Sequence, residues 1–285
     1  MTIWAIADLH LSTVQPKPMD VFGDHWHNHA ERIATAWRAQ VAPDDLVLLA
    51  GDISWALKLP AALPDLHWIA ALPGTKVMIR GNHDYWYPRK PAPLRKHLPE
   101  SIIALGGDAV ATHGVVVCGT RGWLTPDFVG FDPATDERIY RRELGMLDTA
   151  LAHAHRLARG SQPIIALLHF PPFVNHYPTA FAQRLSAAGV AVCLYGHLHR
   201  REDWAAAVQG NVDGVRYQLT ACDYLNFAPT LVRGGSQNSP SVLPLSTNPP
   251  CCAILSGRNS RLGYAKVGLL QHTRFSVYVA SPAPA

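Results

Sequence analysis

The sequence predicts an α/β domain, on three observations. Short apolar runs of strand length recur, helical patterns separate some of them, and most of the runs end in Asp, Asn or His. Runs of roughly four to eight β-branched or apolar residues read as buried strands. Six such runs are visible: Thr2–Ala7, Leu46–Ala50, Lys76–Ile79, Val115–Cys118, Ile164–Leu168 and Val190–Leu194. After the first, Ala30, Ile33, Ala34, Trp37 and Val41 recur at helical spacing and share one face. A second helix is expected from Glu143 to Leu157, with Leu144, Leu147, Leu151 and Ala154 on one side. Strands alternating with helices define the class, and chemistry in it gathers beyond the carboxyl ends of the strands. Five of the six runs end in Asp, Asn or His.

Length and composition narrow the field. At 285 residues, with 48% hydrophobic and 16% charged, the chain is too apolar to be disordered. No apolar run approaches the ~18–20 residues of a membrane span. The opening MTIWAIADLHLS meets Asp8 before an apolar signal core can form. The five cysteines, Cys118, Cys193, Cys222, Cys251 and Cys252, lack CxxC spacing. A reducing, cytoplasmic setting is therefore expected rather than a disulfide framework.

The net charge of +4 is unevenly spread. All 21 acidic residues lie at or before Asp223, and only five basic residues follow it, so the main body is nearly neutral. That weighs against nucleic-acid binding by the body without excluding it. The stretch from Arg233 to Asn259 is rich in Ser, Pro, Gly and Asn. Two units are expected: a main domain over 1–232, and an atypical, partly disordered tail over 233–285.

The polar strand ends carry the chemistry. Asp8-Leu9-His10 puts two side chains on one face of an extended chain. Gly51-Asp52 alone reads as a turn or a helix cap. Gly81-Asn82-His83-Asp84 is rarer, His169 follows its run directly, and Gly196-His197-Leu198-His199 pairs two imidazoles on one face. Independent turns have no reason to appear in this order, each just after a strand. Carboxylate, imidazole and amide ligands without thiolate suit Mn, Fe, Zn or Co. Seven such groups exceed one tetrahedral ion and fit two ions sharing a carboxylate.

On these motifs the sequence resembles the calcineurin-like metallophosphoesterases over roughly residues 1–232. FGDHWHNH, GDISWALKL, GNHDYWY and GTRGW look like a bacterial subgroup of predicted phosphohydrolases. The resemblance implies a β-sandwich flanked by helices, a four-layer αββα arrangement. It implies that Asp8, His10 and His199 hold one ion, that Asn82, His169 and His197 hold a second, and that Asp52 bridges them. Manganese is the expected metal, with iron, zinc, cobalt and nickel as alternatives. His83 is implied to sit near the leaving group, oriented by Asp84. The expected reaction is hydrolysis of a small phosphomonoester or phosphodiester by a bridging hydroxide. A nuclease of the same fold and a scaffold without metals are the rival readings; a scaffold should show gaps among the ligands, and none is seen.

Around this set, Arg80, Arg121, Arg141 and Arg142 are candidate phosphate clamps, since guanidinium matches phosphate oxygens bidentately. Arg121 is the preferred one because GTRGW follows a strand end; Arg142 reads as a surface or salt-bridged residue. Tyr85, Trp86, Trp123, Phe170 and Phe173 are candidates for stacking or loop packing. His25, His27 and His29 read as solvated loop residues. Oligomeric state is not readable.

Overall fold

A computed structural model describes residues 1–14, 16–160 and 162–232. The first half runs β1 (Ile3–Ile6), α1 (His29–Gln40), β2 (Leu46–Leu49), α2 (Leu59–Ala70), β3 (Thr75–Met78), α3 (Ala92–Arg95), β4 (Ile102–Ala104), β5 (Asp108–Thr112) and β6 (Val115–Thr120). The second runs α4 (Pro133–Ala158), β7 (Ile164–Leu168), β8 (Phe173–Val174), β9 (Tyr177–Pro178), α5 (Ala180–Ala187), β10 (Val192–Tyr195), α6 (Arg201–Ala206), β11 (Gly210–Val212), β12 (Val215–Leu219) and β13 (Thr230–Leu231). The tail expected over 233–285 lies outside the described residues.

The strands form two large mixed sheets. One has five strands in the order β13-β1-β2-β3-β4, the other six in the order β11-β12-β10-β7-β6-β5. β1 to β4 are parallel, in a register that pairs Ile3 with Leu46 and Leu46 with Thr75. β6, β7, β10 and β12 are parallel too. Antiparallel strands occupy edges: β13 in the first sheet, β5 and β11 in the second.

Period two explains the layering. Leu46 and Leu48 of β2 face the second sheet and meet a core that includes Val117, Ile165, Leu167 and Leu194. Their neighbours Val47 and Leu49 face the other way, into a core with Ile33 and Trp37 of α1 and Leu66 and Ile69 of α2. In the second sheet Val116, Ala166 and Leu168 pack with Leu147, Leu151 and Ala154 of α4 and Leu185 of α5. Helices thus cover the outer face of each sheet, giving the four-layer arrangement. Strands buried on both faces read as continuous apolar runs, which is why β2, β7 and β10 stand out in the sequence.

One helix starts earlier than expected, and another forms around an interior proline. α4 begins at Pro133, well before Glu143, because the Asp132 carboxylate accepts a hydrogen bond from the Ala134 amide at 3.0 Å and Pro133 suits the first turn. α2 forms although Pro64 lies inside it; buried Leu66 and Ile69 anchor its apolar face. No helix among the described residues is long and apolar enough to cross a membrane. Cys118, Cys193 and Cys222 are buried free thiols.

Candidate metal centre

The loops leaving the parallel strands build the site. Asp8, His10, Asp52 and His197 all take left-handed backbone, with φ of 60°, 46°, 53° and 75°. Such conformations cost L-residues on the order of 1–3 kcal/mol each and persist only where surroundings impose them. Here the β1 and β2 loops go on pairing past the strand ends. The Asp8 amide donates to the Gly51 carbonyl at 2.9 Å, His10 to Asp52 at 3.0 Å and Leu11 to Ile53 at 3.0 Å. Glycines make room. A Cβ on Gly81 would lie 2.0 Å from Asp52 Oδ1, one on Gly196 2.4 Å from Asp8 Oδ2, and one on Gly51 2.8 Å from His169 Nδ1.

The seven expected ligand residues lie together. Ligand atoms of Asp8, His10 and His199 fall within 4.8 Å of one another, as do those of Asp8, Asp52 and His169. Asp52 Oδ2 stands 3.7 Å from His10 Nε2 and 3.4 Å from His169 Nε2, between the two histidine sets. Asn82 Oδ1 is 2.6 Å from His169 Nε2 and 3.0 Å from His197 Nδ1, and those nitrogens are 3.3 Å apart. Asp8 is more central than its motif suggests: Oδ1 is 3.6 Å from His199 Nε2 and 3.7 Å from His169 Nδ1. The donor set fits divalent cations. Two imidazole nitrogens and an amide oxygen converge beside two buried carboxylates, a mixed nitrogen and oxygen donor set without thiolate.

Electrostatics follow from burial and the two carboxylates. Burial opposes charge on His10 and His197 and holds both well below the usual histidine range. Neutral imidazole is the ligating form. Burial opposes charge on His169 and His199 as well, but Asp52 beside the first and Asp8 and Asp223 beside the second hold them above it. Burial likewise works against ionising Asp52, yet His169, His10 and His83 keep it well below the usual carboxylate range.

Supporting groups fix the ligands. The Ala50 carbonyl lies 3.1 Å from His169 Nδ1. Asp223 Oδ1 and Oδ2 lie 3.0 and 3.1 Å from His199 Nδ1, which leaves Nε2 facing Asp8. A carboxylate behind a ligating histidine fixes its tautomer and ring angle. Asp223 was not singled out in the sequence. Its signal was there: Val-Arg-Tyr-Gln-Leu of β12 alternates buried and half-buried positions, and an Asp follows shortly after. Trp55, also missed, stacks on His10 at 4.8 Å and touches His83 at 4.3 Å between ring centroids.

His83 is half-buried; its amide donates to Asp52 Oδ1 at 2.9 Å, and burial lowers its ring's affinity for a proton. Asp84 accepts from the amides of Ile53, Ser54 and Gly81 and from the Trp86 indole, at 2.7–3.1 Å. Asp84 thus ties the Gly81–Asn82–His83 loop to the β2 loop, and none of these donors is the His83 ring. Burial, reinforced by Asp52, raises the Asp84 carboxyl to about 6.

Of the arginines, Arg121 is buried, bonded to Glu143 at 3.2 Å and stacked over Trp123 at 4.2 Å. Arg142 shares Glu143 at 3.0 Å. Arg141 is exposed and paired with Glu137 one turn back, apart from this group. Phe170 lies against His197 at 4.2 Å and Trp123 at 4.9 Å; Phe173 packs on Tyr217, and Tyr85 is exposed. Of the loop histidines, His29 is half-buried with Nε2 3.1 Å from the Leu9 carbonyl, while His25 and His27 are exposed.

Two stacked mixed sheets with a carboxylate–histidine cluster on their loops define a metallohydrolase class. The chain belongs to the calcineurin-like phosphoesterase family, whose sequence pattern matches residues 1–201. It is 27% identical over 202 residues to the Gene 66 protein of Mycobacterium phage D29, covering 70% of this chain and 79% of that protein. It is 34% identical over 85 residues to the Gene 66 protein of Mycobacterium phage L5, where the match spans 30% of this chain and 41% of that one. Among solved structures it resembles the phosphopantetheinyl hydrolase of Mycobacterium tuberculosis at a TM-score of 0.51 and 17% identity, covering 84% of this chain and 98% of that one. At that identity the likeness speaks for the fold alone.

Proposed function

We propose that this protein is a metal-dependent phosphohydrolase that cleaves a small phosphomonoester or phosphodiester at a dinuclear centre. One observation carries the reading: side chains from five separate strand ends converge in adjoining clusters, with Asp52 Oδ2 between His10 and His169. Asp8, His10 and His199 would hold one ion, Asn82, His169 and His197 the other, and Asp52 both. Manganese suits this set, as do iron, zinc, cobalt and nickel. When bound, the ions supply positive charge for the phosphate oxygens and an acidified water at neutral pH.

The chain's own residues do the rest. Asp223 and the Ala50 carbonyl keep His199 and His169 aimed at the ligand positions. The Asp84 carboxyl holds the loop that presents Asn82 and His83. His83, against Trp55 at the edge of the set, would deliver a proton to a departing alkoxide. Arg121 is the substrate-binding arginine of this reading.

The test is hydrolysis of p-nitrophenyl phosphate beside bis-p-nitrophenyl phosphate by metal-stripped protein reloaded with Mn²⁺. Turnover that depends on metal and disappears in Asp52→Asn supports the reading, and the ratio of rates separates monoesterase from diesterase. A chain that binds no metal and turns over neither compound sinks it. His83→Ala is expected to lower kcat by about 100-fold, within the usual range for a lost general acid, with metal content intact. Loss of both ions in that variant would remove the assigned role.

A further inference from the structure

We propose that Arg80, Arg121 and Arg142 form an anion subsite beside the metal centre that receives a second negatively charged group of the substrate, a phosphate or carboxylate distinct from the ester that reacts. This rests on the phosphohydrolase reading and narrows its substrate class to compounds with two anionic groups.

The three side chains come from different elements. Arg80 follows β3, Arg121 follows β6 and Arg142 belongs to α4. Two of them, Arg121 and Arg142, share one carboxylate in contact. Glu143 receives Arg121 Nη2 at 3.2 Å and Arg142 Nη2 at 3.0 Å, and its other oxygen accepts the Thr120 hydroxyl at 2.5 Å. The Nε atoms of all three arginines are buried and have no hydrogen-bond partner. Arg121 is only 7% exposed. The other acid beside Arg80 is Asp84, whose oxygens already serve four donors. Three guanidiniums against one dedicated carboxylate leave a positive surplus, with Arg121 buried and Arg80 and Arg142 partly so.

A buried, unpaired cation is costly and needs a compensating anion. Planar guanidinium forks with free N–H groups fit an oxyanion bidentately. The cluster adjoins the ligand sets without belonging to them. The Arg121 carbonyl accepts from the His169 and Phe170 amides at 2.9 and 3.0 Å, and Arg80 is two residues from Asn82. The Trp123–Phe170 pair leads from the guanidinium of Arg121 to the ring of His197. A substrate with its ester at the ligand sets thus has a cationic recess next to it for another charged group.

The test is calorimetric titration of the full-length, Mn²⁺-loaded protein with methylphosphonate and with methylenediphosphonate. The two-headed probe is expected to bind at least about tenfold tighter, the scale of one charge-assisted hydrogen bond. Arg142→Gln is expected to remove most of that preference. Arg142 is partly exposed, and its loss leaves Glu143 paired with Arg121, so the fold tolerates the change. Arg80→Gln provides a second, independent variant, and bound Mn²⁺ is measured in each. Equal affinity for the two probes overturns the proposal. So does a preference that survives in both variants, because chelation by the metals then accounts for it. Failure of the phosphohydrolase reading is seen separately, as absence of bound metal in the wild type. Even then a drop in methylenediphosphonate affinity on Arg142→Gln still supports the subsite, and no drop overturns it.

Discussion

The two ends of the sheets use the same unusual backbone conformation for opposite purposes. At the amino ends of the parallel strands, left-handed residues make tight turns: His113-Gly114 joins β5 to β6, Asp213-Gly214 joins β11 to β12, and Arg159-Gly160 ends α4. Pairs of positive-φ residues suit two-residue hairpins, and left-handed residues stop helices. A Cβ added at Gly114, Gly160 or Gly214 would meet nothing within 4 Å. At the carboxyl ends the left-handed residues include Asp8, His10, Asp52 and His197. There the glycines are hemmed in by ligand side chains. At the amino ends the conformation reverses the chain; at Asp8, His10, Asp52 and His197 it aims side chains.

That contrast can be broken, and the largest effect should come at Asp52. Asp52→Asn is expected to lower bound metal from two ions to one or none. Turnover should fall by more than the roughly 10–100-fold that loss of a supporting partner costs. Metal analysis alongside kinetics checks this; full occupancy in the variant would refute the bridging assignment. Next comes Asp223→Asn, expected to weaken binding at the His199 set by about 10–100-fold with little change in melting temperature. Competition with a fluorescent chelator measures it.

The glycines sharpen the comparison further. Gly81→Ala forces Asp52 to move and should cost metal affinity. Gly114→Ala, in open space at φ 73°, should cost only about 1 kcal/mol of stability and leave metal binding alone. Paired denaturation and metal titrations separate the two. The smallest effect is expected for Val129→Ser. Val129, 86% exposed on the β6–α4 loop, should change stability by no more than about 0.5 kcal/mol. A larger loss in chemical denaturation would mean that the loop packs against something.

Much of the site was legible because strand ends are short-range signals. A buried run followed by Asp, Asn or His is visible in ten residues of sequence, and all seven expected ligands sit at such junctions. The missing parts are long-range or atypical. Glu143 lies within α4, and nothing nearby marks it as the shared partner of Arg121 and Arg142. Asp223 follows β12, whose alternating Val-Arg-Tyr-Gln-Leu is not a continuous apolar run. α2 carries Pro64 in its interior, which argues locally against a helix that tertiary packing nevertheless holds. The division of parallel strands into two sheets has no local signature, since β2 and β7 are both fully buried. Only the resemblance implied it.

The left-handed ligand residues bear on how this protein would respond to laboratory evolution. Replacing Asp8, His10, Asp52 or His197 with glycine relieves a conformational penalty of about 1 kcal/mol or more at each position. A library screened for heat tolerance alone would therefore be drawn toward the proposed metal ligands. Its winners would be hardy and inert, so any such screen has to assay turnover in the same round.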